Sequence, residues 1–81
     1  MRFEFDLVFV EGRVLTSSKN GREYGLVRLV NPTTYESYEV FAEDVNYVRN
    51  LTISAGTLVR AEFVVRGGRR TNIALRRVSA V

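Results

Sequence analysis

The side chains of this chain that can do chemistry are almost entirely arginines and carboxylates. The 81 residues include no histidine and no cysteine, whereas twelve are lysine or arginine and nine are aspartate or glutamate. Histidine is the usual general base and the commonest metal ligand, and cysteine supplies the thiolate nucleophile and a zinc ligand. We therefore expect a protein that is not an enzyme and that uses no metal ion or other cofactor.

One adjacent acidic pair, Glu43 and Asp44, leaves a different chemistry open. Carboxylates bind magnesium, so a magnesium-dependent reaction at this pair is conceivable. An aspartate that precedes a short run with helical spacing is more typical of a helix cap. We interpret the pair as part of a turn or cap.

The basic residues are concentrated in the last third of the chain. The net charge is +3, but residues 1–56 hold six basic and eight acidic residues, whereas residues 57–81 hold six arginines and Glu62 alone. Arginine pairs with phosphate in two-point geometry and stacks on bases, and eleven of the twelve basic residues are arginine. This pattern favours a polyanionic partner, and a merely solvated basic surface is the alternative.

Alternation of apolar and polar residues predicts five strands that must position these side chains. Glu11 and Gly12 interrupt the first strand, and a glycine inside a strand commonly marks a bulge or bend. Asn20 and Gly21 predict a tight hairpin after it, and residues 42–54 favour a short helix or an irregular connection. The predicted strands cover residues 3–15, 24–30, 35–41, 57–66 and 71–78.

The order of these elements indicates the fold class. Five short strands, a long bent first strand and a short helix between strands three and four match an all-β, five-stranded OB-type barrel. The SH3-like barrel is the competing topology, but it does not ordinarily carry an insert at that place. We expect a single OB-fold domain over residues 1–81, because a chain of this length holds one hydrophobic core.

The apolar segments predict a cytoplasmic protein without a membrane partner. Acidic residues interrupt the first ten residues, unlike the apolar stretch of a signal peptide. No apolar run approaches the roughly 18 residues that span a bilayer.

The second predicted strand carries the clearest candidate binding surface. If Val27 and Leu29 face the core, then Tyr24, Leu26 and Arg28 face outward, because side chains alternate along a strand. OB-fold proteins bind oligonucleotides on strands two and three, where bases stack on aromatic rings. Packing of the same side chains against the helix, a loop or a second protomer is the alternative.

The tyrosines of the third predicted strand leave one choice open. Tyr35 and Tyr38 are three residues apart, so on a regular strand only one of them can lie outside. If Val40 is buried with Tyr38, Tyr35 is the stacking candidate; if Phe41 is buried instead, the assignment reverses. Tyr47 is expected to pack in the helix or loop.

The final hairpin is the strongest electrostatic feature. Arg66, Arg69 and Arg70 flank the glycines at 67 and 68, and Arg76 and Arg77 follow on the last strand. In OB folds the loop between strands four and five helps to form the binding cleft. A charged hairpin tip that only protects a sheet edge is the alternative.

A resemblance to a known family begins at the first hairpin, in residues 19–26. There a basic tip, a glycine, a basic residue, one spacer and Tyr-x-Leu resemble the small single-stranded-DNA-binding proteins of filamentous phages. The likeness extends loosely to the aromatic residues at 35–41, Ala-Gly at 55–56, Gly-Gly at 67–68 and Arg-Arg at 76–77. Residues 25–40 are also similar to small proteins carried by conjugative elements of Gram-positive bacteria.

The resemblance implies an OB-type homodimer that coats single-stranded DNA, in preference to RNA. We expect no small-molecule substrate. Glu36 and Glu39 depart from this pattern, because a nucleic-acid groove disfavours carboxylates. A protein-interaction or oligomerisation module that uses the same aromatic surface is the alternative function. The candidate nucleic-acid-binding residues are Arg13, Lys19, Arg22, Tyr24, Leu26, Arg28, Tyr35, Tyr38, Arg66, Arg69, Arg70, Arg76 and Arg77.

Overall fold

A computed structural model of the chain describes residues 1–67 and 72–81. Within them five strands and one helix follow the predicted order, and the helix is the connection between the third and fourth strands. The elements are β1 (Arg2–Thr16), β2 (Glu23–Val30), β3 (Ser37–Ala42), α1 (Val45–Arg49), β4 (Leu58–Arg66) and β5 (Asn72–Ala80). No helix in the described part of the chain is long and apolar enough to cross a membrane.

The five strands close into a barrel in the order β1-β2-β3-β5-β4. Every neighbouring pair is antiparallel except β3 and β5, which run parallel. The long β1 joins the two sides of the barrel, because its first half pairs with β4 and its second half with β2. The predicted OB-type barrel is confirmed.

A β-bulge in β1 decides which of its side chains reach the outer surface. Phe9 pairs with Leu29 and Glu11 with Arg28, so Val10 is an extra residue on β1. An extra residue reverses the alternation of a strand. Odd-numbered residues of β1 therefore point into the barrel before Val10 and away from it after Val10. The predicted interruption of the first strand is confirmed, and it lies one residue before Glu11.

The barrel interior is filled by apolar side chains, most of them aliphatic, from β1, β2, β4 and β5. Val27 and Leu29 are fully buried, which confirms the predicted orientation of β2. Their burial leaves the alternate side chains of β2 on the outer surface. The largest fully buried side chains are Leu29, Leu75, Val27 and Val59.

Helix α1 is held by polar contacts at its N-terminus and at its middle residue, Tyr47. The Asp44 carboxylate accepts a hydrogen bond of 2.9 Å from the backbone N–H of Asn46, which confirms the predicted cap. The Tyr47 hydroxyl donates to the carbonyl of Val78 at 2.9 Å and accepts from the N–H of the same residue at 2.8 Å. Tyr47 also packs against the core, as its expected packing role requires.

The helix packs closely on the backbone of β1 and β2 through Val48. A Cβ atom placed on Gly25 would lie 2.6 Å from Val48 Cγ2, a distance that side chains do not tolerate. A Cβ atom on Gly12 would lie 3.2 Å from Val48 Cγ1. The two glycines thus allow the helix to lie against the inner side of these strands.

The third strand starts later than predicted. β3 begins at Ser37, and Tyr35 lies in the preceding turn with a φ of 62°. Its N–H donates to the carbonyl of Asn31 at 2.8 Å. The predicted start of the third strand at residue 35 is wrong, because the turn places Tyr35 outside the strand.

Candidate nucleic-acid interface

The strand register assembles one continuous surface on the outside of β1, β2 and β3, called the outer face below. Residues directly opposite each other on paired strands point to the same side of a sheet. Aromatic and aliphatic residues fall at one end of the outer face, and charged residues fall at the other. The rows across the strands are Leu15 with Tyr24, then Arg13 with Leu26 and Phe41, then Glu11 with Arg28 and Glu39.

The apolar end of the outer face is a notch formed by Tyr24, Leu26 and Phe41. The rings of Tyr24 and Phe41 meet edge to face with centroids 5.8 Å apart. Phe41 is 58% exposed, and residues 16–19 of the first hairpin form the wall of the notch. This aromatic notch offers planar apolar surfaces on which a base can stack.

The hairpin beside the notch presents two cations at its tip. Ser17 and Gly21 close the turn, since the N–H of Ser17 donates to the carbonyl of Arg22 and the N–H of Gly21 to that of Ser17. Lys19 and Arg22 are exposed. Within residues 1–67 and 72–81, every other basic side chain has a carboxylate oxygen within 4.0 Å, whereas these two have none.

The charged end of the outer face is a closed ring of two arginines and two glutamates. Arg28 donates to Glu39 at 2.7 Å and lies 3.9 Å from Glu11. Arg13 lies 3.4 Å from Glu11 and 4.0 Å from Glu39. This charge ring has no net charge, so Arg13 and Arg28 are on the outer face but are already paired.

The contact between Arg28 and Glu39 also shifts the pKa of both groups. The hydrogen bond from Arg28, together with its charge, lowers the pKa of Glu39. The same hydrogen bond and charge raise the pKa of Arg28. Glu39, which the sequence marked as a departure from the family pattern, is therefore an ionised partner in the ring, whereas Glu36 lies in the turn before β3.

The arginines of β5 are held against a carboxylate of β4. Arg77 and Arg76 lie 3.5 Å and 3.6 Å from the Glu62 oxygens, and Arg2 lies 3.9 Å away. Glu62 is buried, and its Oε2 atom accepts no hydrogen bond within the described part of the chain. Arg76 and Arg77 therefore belong to this Glu62 cluster and not to the rows of the outer face.

Of the remaining predicted arginines, the structure describes Arg66, which ends β4. Arg66 donates to Glu43 at 2.7 Å. Arg69 and Arg70 lie outside the described residues. The expectation of a basic cleft at this hairpin stays a prediction.

Tyr38 contributes to a second surface, an apolar groove at the mouth of the barrel. It pairs with Leu29 and therefore points to the inner side of β3, where it is 39% exposed. Tyr35 is 80% exposed, at the end of the β2–β3 hairpin opposite to the aromatic notch. The residues that line this barrel-mouth groove are Phe3, Phe5, Leu7, Asn31, Tyr38, Val40, Phe63 and Ile73.

Phe41 is the notch residue that sequence reasoning missed. The alternation of β3 admitted both orientations, one with Phe41 buried and one with Val40 buried. The register decides between them, because Val40 pairs with the buried Val27 and Phe41 pairs with the outward Leu26. No local pattern in the sequence could have found it, because the partners Leu26 and Phe41 are far apart in the chain.

The acidic residues do not form a multi-carboxylate centre in the part of the chain that the structure describes. Groups of three or more potential metal ligands are absent from residues 1–67 and 72–81. Asp44 caps the helix, and Glu43 pairs with Arg66.

The fold and the outer face together define a small OB-type barrel with an exposed aromatic notch beside a basic hairpin. Comparison of the chain with protein-family models, with curated proteins and with solved structures found no match. The likeness to phage single-stranded-DNA-binding proteins therefore rests on the residues of the sequence alone.

Proposed function

We propose that this protein binds single-stranded nucleic acid, DNA in preference to RNA, without requiring a particular sequence. The observation that carries the proposal is the first hairpin, where Lys19 lines the aromatic notch and neither Lys19 nor Arg22 has a carboxylate oxygen within 4.0 Å in the described chain. Base stacking on an aromatic side chain contributes about 1–3 kcal/mol per base, and cations add contacts to phosphate. The order of DNA before RNA rests on the family resemblance.

Each part of the notch has a distinct role in this proposal. Tyr24, Leu26 and Phe41 receive the faces of one or two bases, and the hairpin cations contact the phosphates between them. Every base has a stacking face, so such a site tolerates any sequence.

A titration of fluorescently labelled oligo-dT at two salt concentrations tests the proposal. We expect binding that weakens as salt rises, because phosphate contacts release counterions. Tyr24→Ala should weaken binding by about 1–3 kcal/mol, which is roughly 5- to 150-fold in Kd.

Phe5→Ala is the matched control for this titration. It also truncates a half-exposed aromatic ring on a strand, but Phe5 is 56% exposed in the barrel-mouth groove and not in the notch. Its affinity for oligo-dT should equal that of the unchanged protein. If the unchanged protein does not bind oligo-dT at low salt, the proposed function is wrong.

The barrel-mouth groove favours a second candidate function, a protein-interaction or oligomerisation module. Phe3, Phe5 and Ile73 expose large apolar surfaces there, and exposed apolar patches mark protein interfaces. Light scattering with and without oligo-dT distinguishes the two candidates. A homodimer that is indifferent to oligo-dT and is lost in Phe5→Ala favours the second.

A further inference from the structure

We infer that Glu11 and Glu39 are specificity-determining residues, which make the outer face select nucleic acid by its exposed bases and not by its phosphate charge. They do so by holding Arg13 and Arg28 in the charge ring. The inference rests on the proposed function and deepens it, because it narrows the partner to strands with unstacked bases.

The charge ring lies directly next to the notch on the outer face. The row that contains Leu26 and Phe41 is followed directly by the row of Glu11, Arg28 and Glu39. A strand that leaves the notch along β2 therefore meets the charge ring next. The side chains of the ring are 39–45% exposed, so a phosphate can reach them.

The positive and negative charges of the ring balance each other. Each arginine lies within 4.0 Å of both glutamates. A phosphate gains little there, because it must displace a carboxylate that already neutralises the arginine. Of the four cations at or beside the outer face, only Lys19 and Arg22 are left for phosphate.

Single strands and duplexes differ in whether the faces of their bases are accessible to this surface. A duplex hides the faces of its bases, so this surface can attract it mainly through phosphate charge. A single strand offers the same charge and also stacks on the notch. Because the ring holds Arg13 and Arg28, the attraction to phosphate is weaker for the duplex and for the single strand alike. Base stacking on the notch, which the single strand alone can make, is preserved.

The test compares two double variants that change the net charge equally. Glu11→Gln with Glu39→Gln removes both carboxylates of the ring. Glu4→Gln with Glu36→Gln is the control, because both residues are exposed and neither has an ion pair within 4.0 Å in the described chain. The ligands are labelled oligo-dT and a duplex of the same length, titrated over a series of salt concentrations.

The ring variant should show a steeper salt dependence than the unchanged protein. Two additional phosphate contacts increase the slope of log K against log salt by about 1.8 for a duplex and by about 1.4 for a single strand. At about 0.1 M salt this difference lowers the preference for oligo-dT over duplex roughly two- to threefold. The control variant should change both slopes by less than half as much.

Each outcome decides between the claims. If the unchanged protein binds oligo-dT but the ring variant matches the control in slopes and in preference, the inference is wrong and the proposed function stands. If the unchanged protein does not bind oligo-dT, the proposed function itself is wrong. Circular dichroism checks folding, and Glu39→Gln alone, which removes the 2.7 Å contact, repeats the test if the double variant unfolds.

Discussion

Two basic residues lie at or beside each end of the outer face, but the two pairs have different neighbours. At the notch end, Lys19 and Arg22 have no carboxylate within 4.0 Å in the described chain, and Lys19 lines the notch together with Tyr24 and Phe41. At the ring end, Arg13 and Arg28 each contact two glutamates. The number of basic residues on a surface therefore does not show where phosphate binds, because ion pairing with carboxylates decides which of these residues can contact a phosphate.

The two ends also differ in how closely the helix supports them from inside the barrel. Gly25 lies between the notch residues Tyr24 and Leu26, and Gly12 lies between the ring residues Glu11 and Arg13. Gly25→Ala should lower the free energy of unfolding by about 1–3 kcal/mol, because the added methyl group collides with the buried Val48. Thermal unfolding followed by circular dichroism measures this as a loss of roughly 4–8 °C in Tm per kcal/mol.

Gly12→Ala is the matched change at the ring end. Its methyl group would lie 3.2 Å from Val48 Cγ1, a distance that a small shift relieves, and alanine is favoured over glycine in a strand by about 0.5–1 kcal/mol. We expect little net change. Equal losses of stability in the two variants would contradict the tighter support of the notch end.

Phe41→Ala tests the aromatic part of the notch. The loss of one stacking surface should weaken oligo-dT binding by about 1–3 kcal/mol, as measured by fluorescence titration. Tyr38→Ala is the control on the same strand, because that ring points into the barrel-mouth groove. The assignment of the notch fails if both variants lose the same affinity.

Lys19→Gln combined with Arg22→Gln tests the cations at the notch end. Loss of two phosphate contacts should decrease the steepness of the salt dependence of oligo-dT binding by about 1.4. Arg13→Gln combined with Arg28→Gln removes equal charge from the ring end and should change the slope by much less. A larger change in the second pair would reverse the comparison between the two ends.

The fold could be predicted from the sequence because the signals for it are local. Alternation identified the five strands, and Asp44 marked the start of the helix. The start of β3 was predicted two residues early, because the alternation of 35–41 does not reveal the turn in which Tyr35 takes a positive φ. The side chain and the backbone of Asn31 hold this turn by hydrogen bonds. The alternation of apolar and polar residues carries no information about such bonds.

The candidate site could be predicted only in part, because its geometry depends on strand register. Tyr24 and Leu26 were assigned to the outer surface from the alternation of β2 alone, and their orientation is confirmed. The orientation of Phe41 and the pairing of Arg28 with Glu39 required the alignment of β2 with β3. Cross-strand partners of this kind are far apart in sequence and leave no local pattern.

Acidification provides the smallest expected effect. The chain has no histidine and no cysteine, so no side chain has an ordinary pKa between about 5 and 8. Because Arg28 lowers the pKa of Glu39, the Glu39 carboxylate stays ionised as pH falls into the ordinary range of glutamate, and its contribution to stability is lost only as pH falls through that lowered pKa. The Kd for oligo-dT should be the same at pH 7 and pH 5. Tighter binding at pH 5 would mean that the ring opens earlier and that the two ends of the outer face are less different than their contacts indicate.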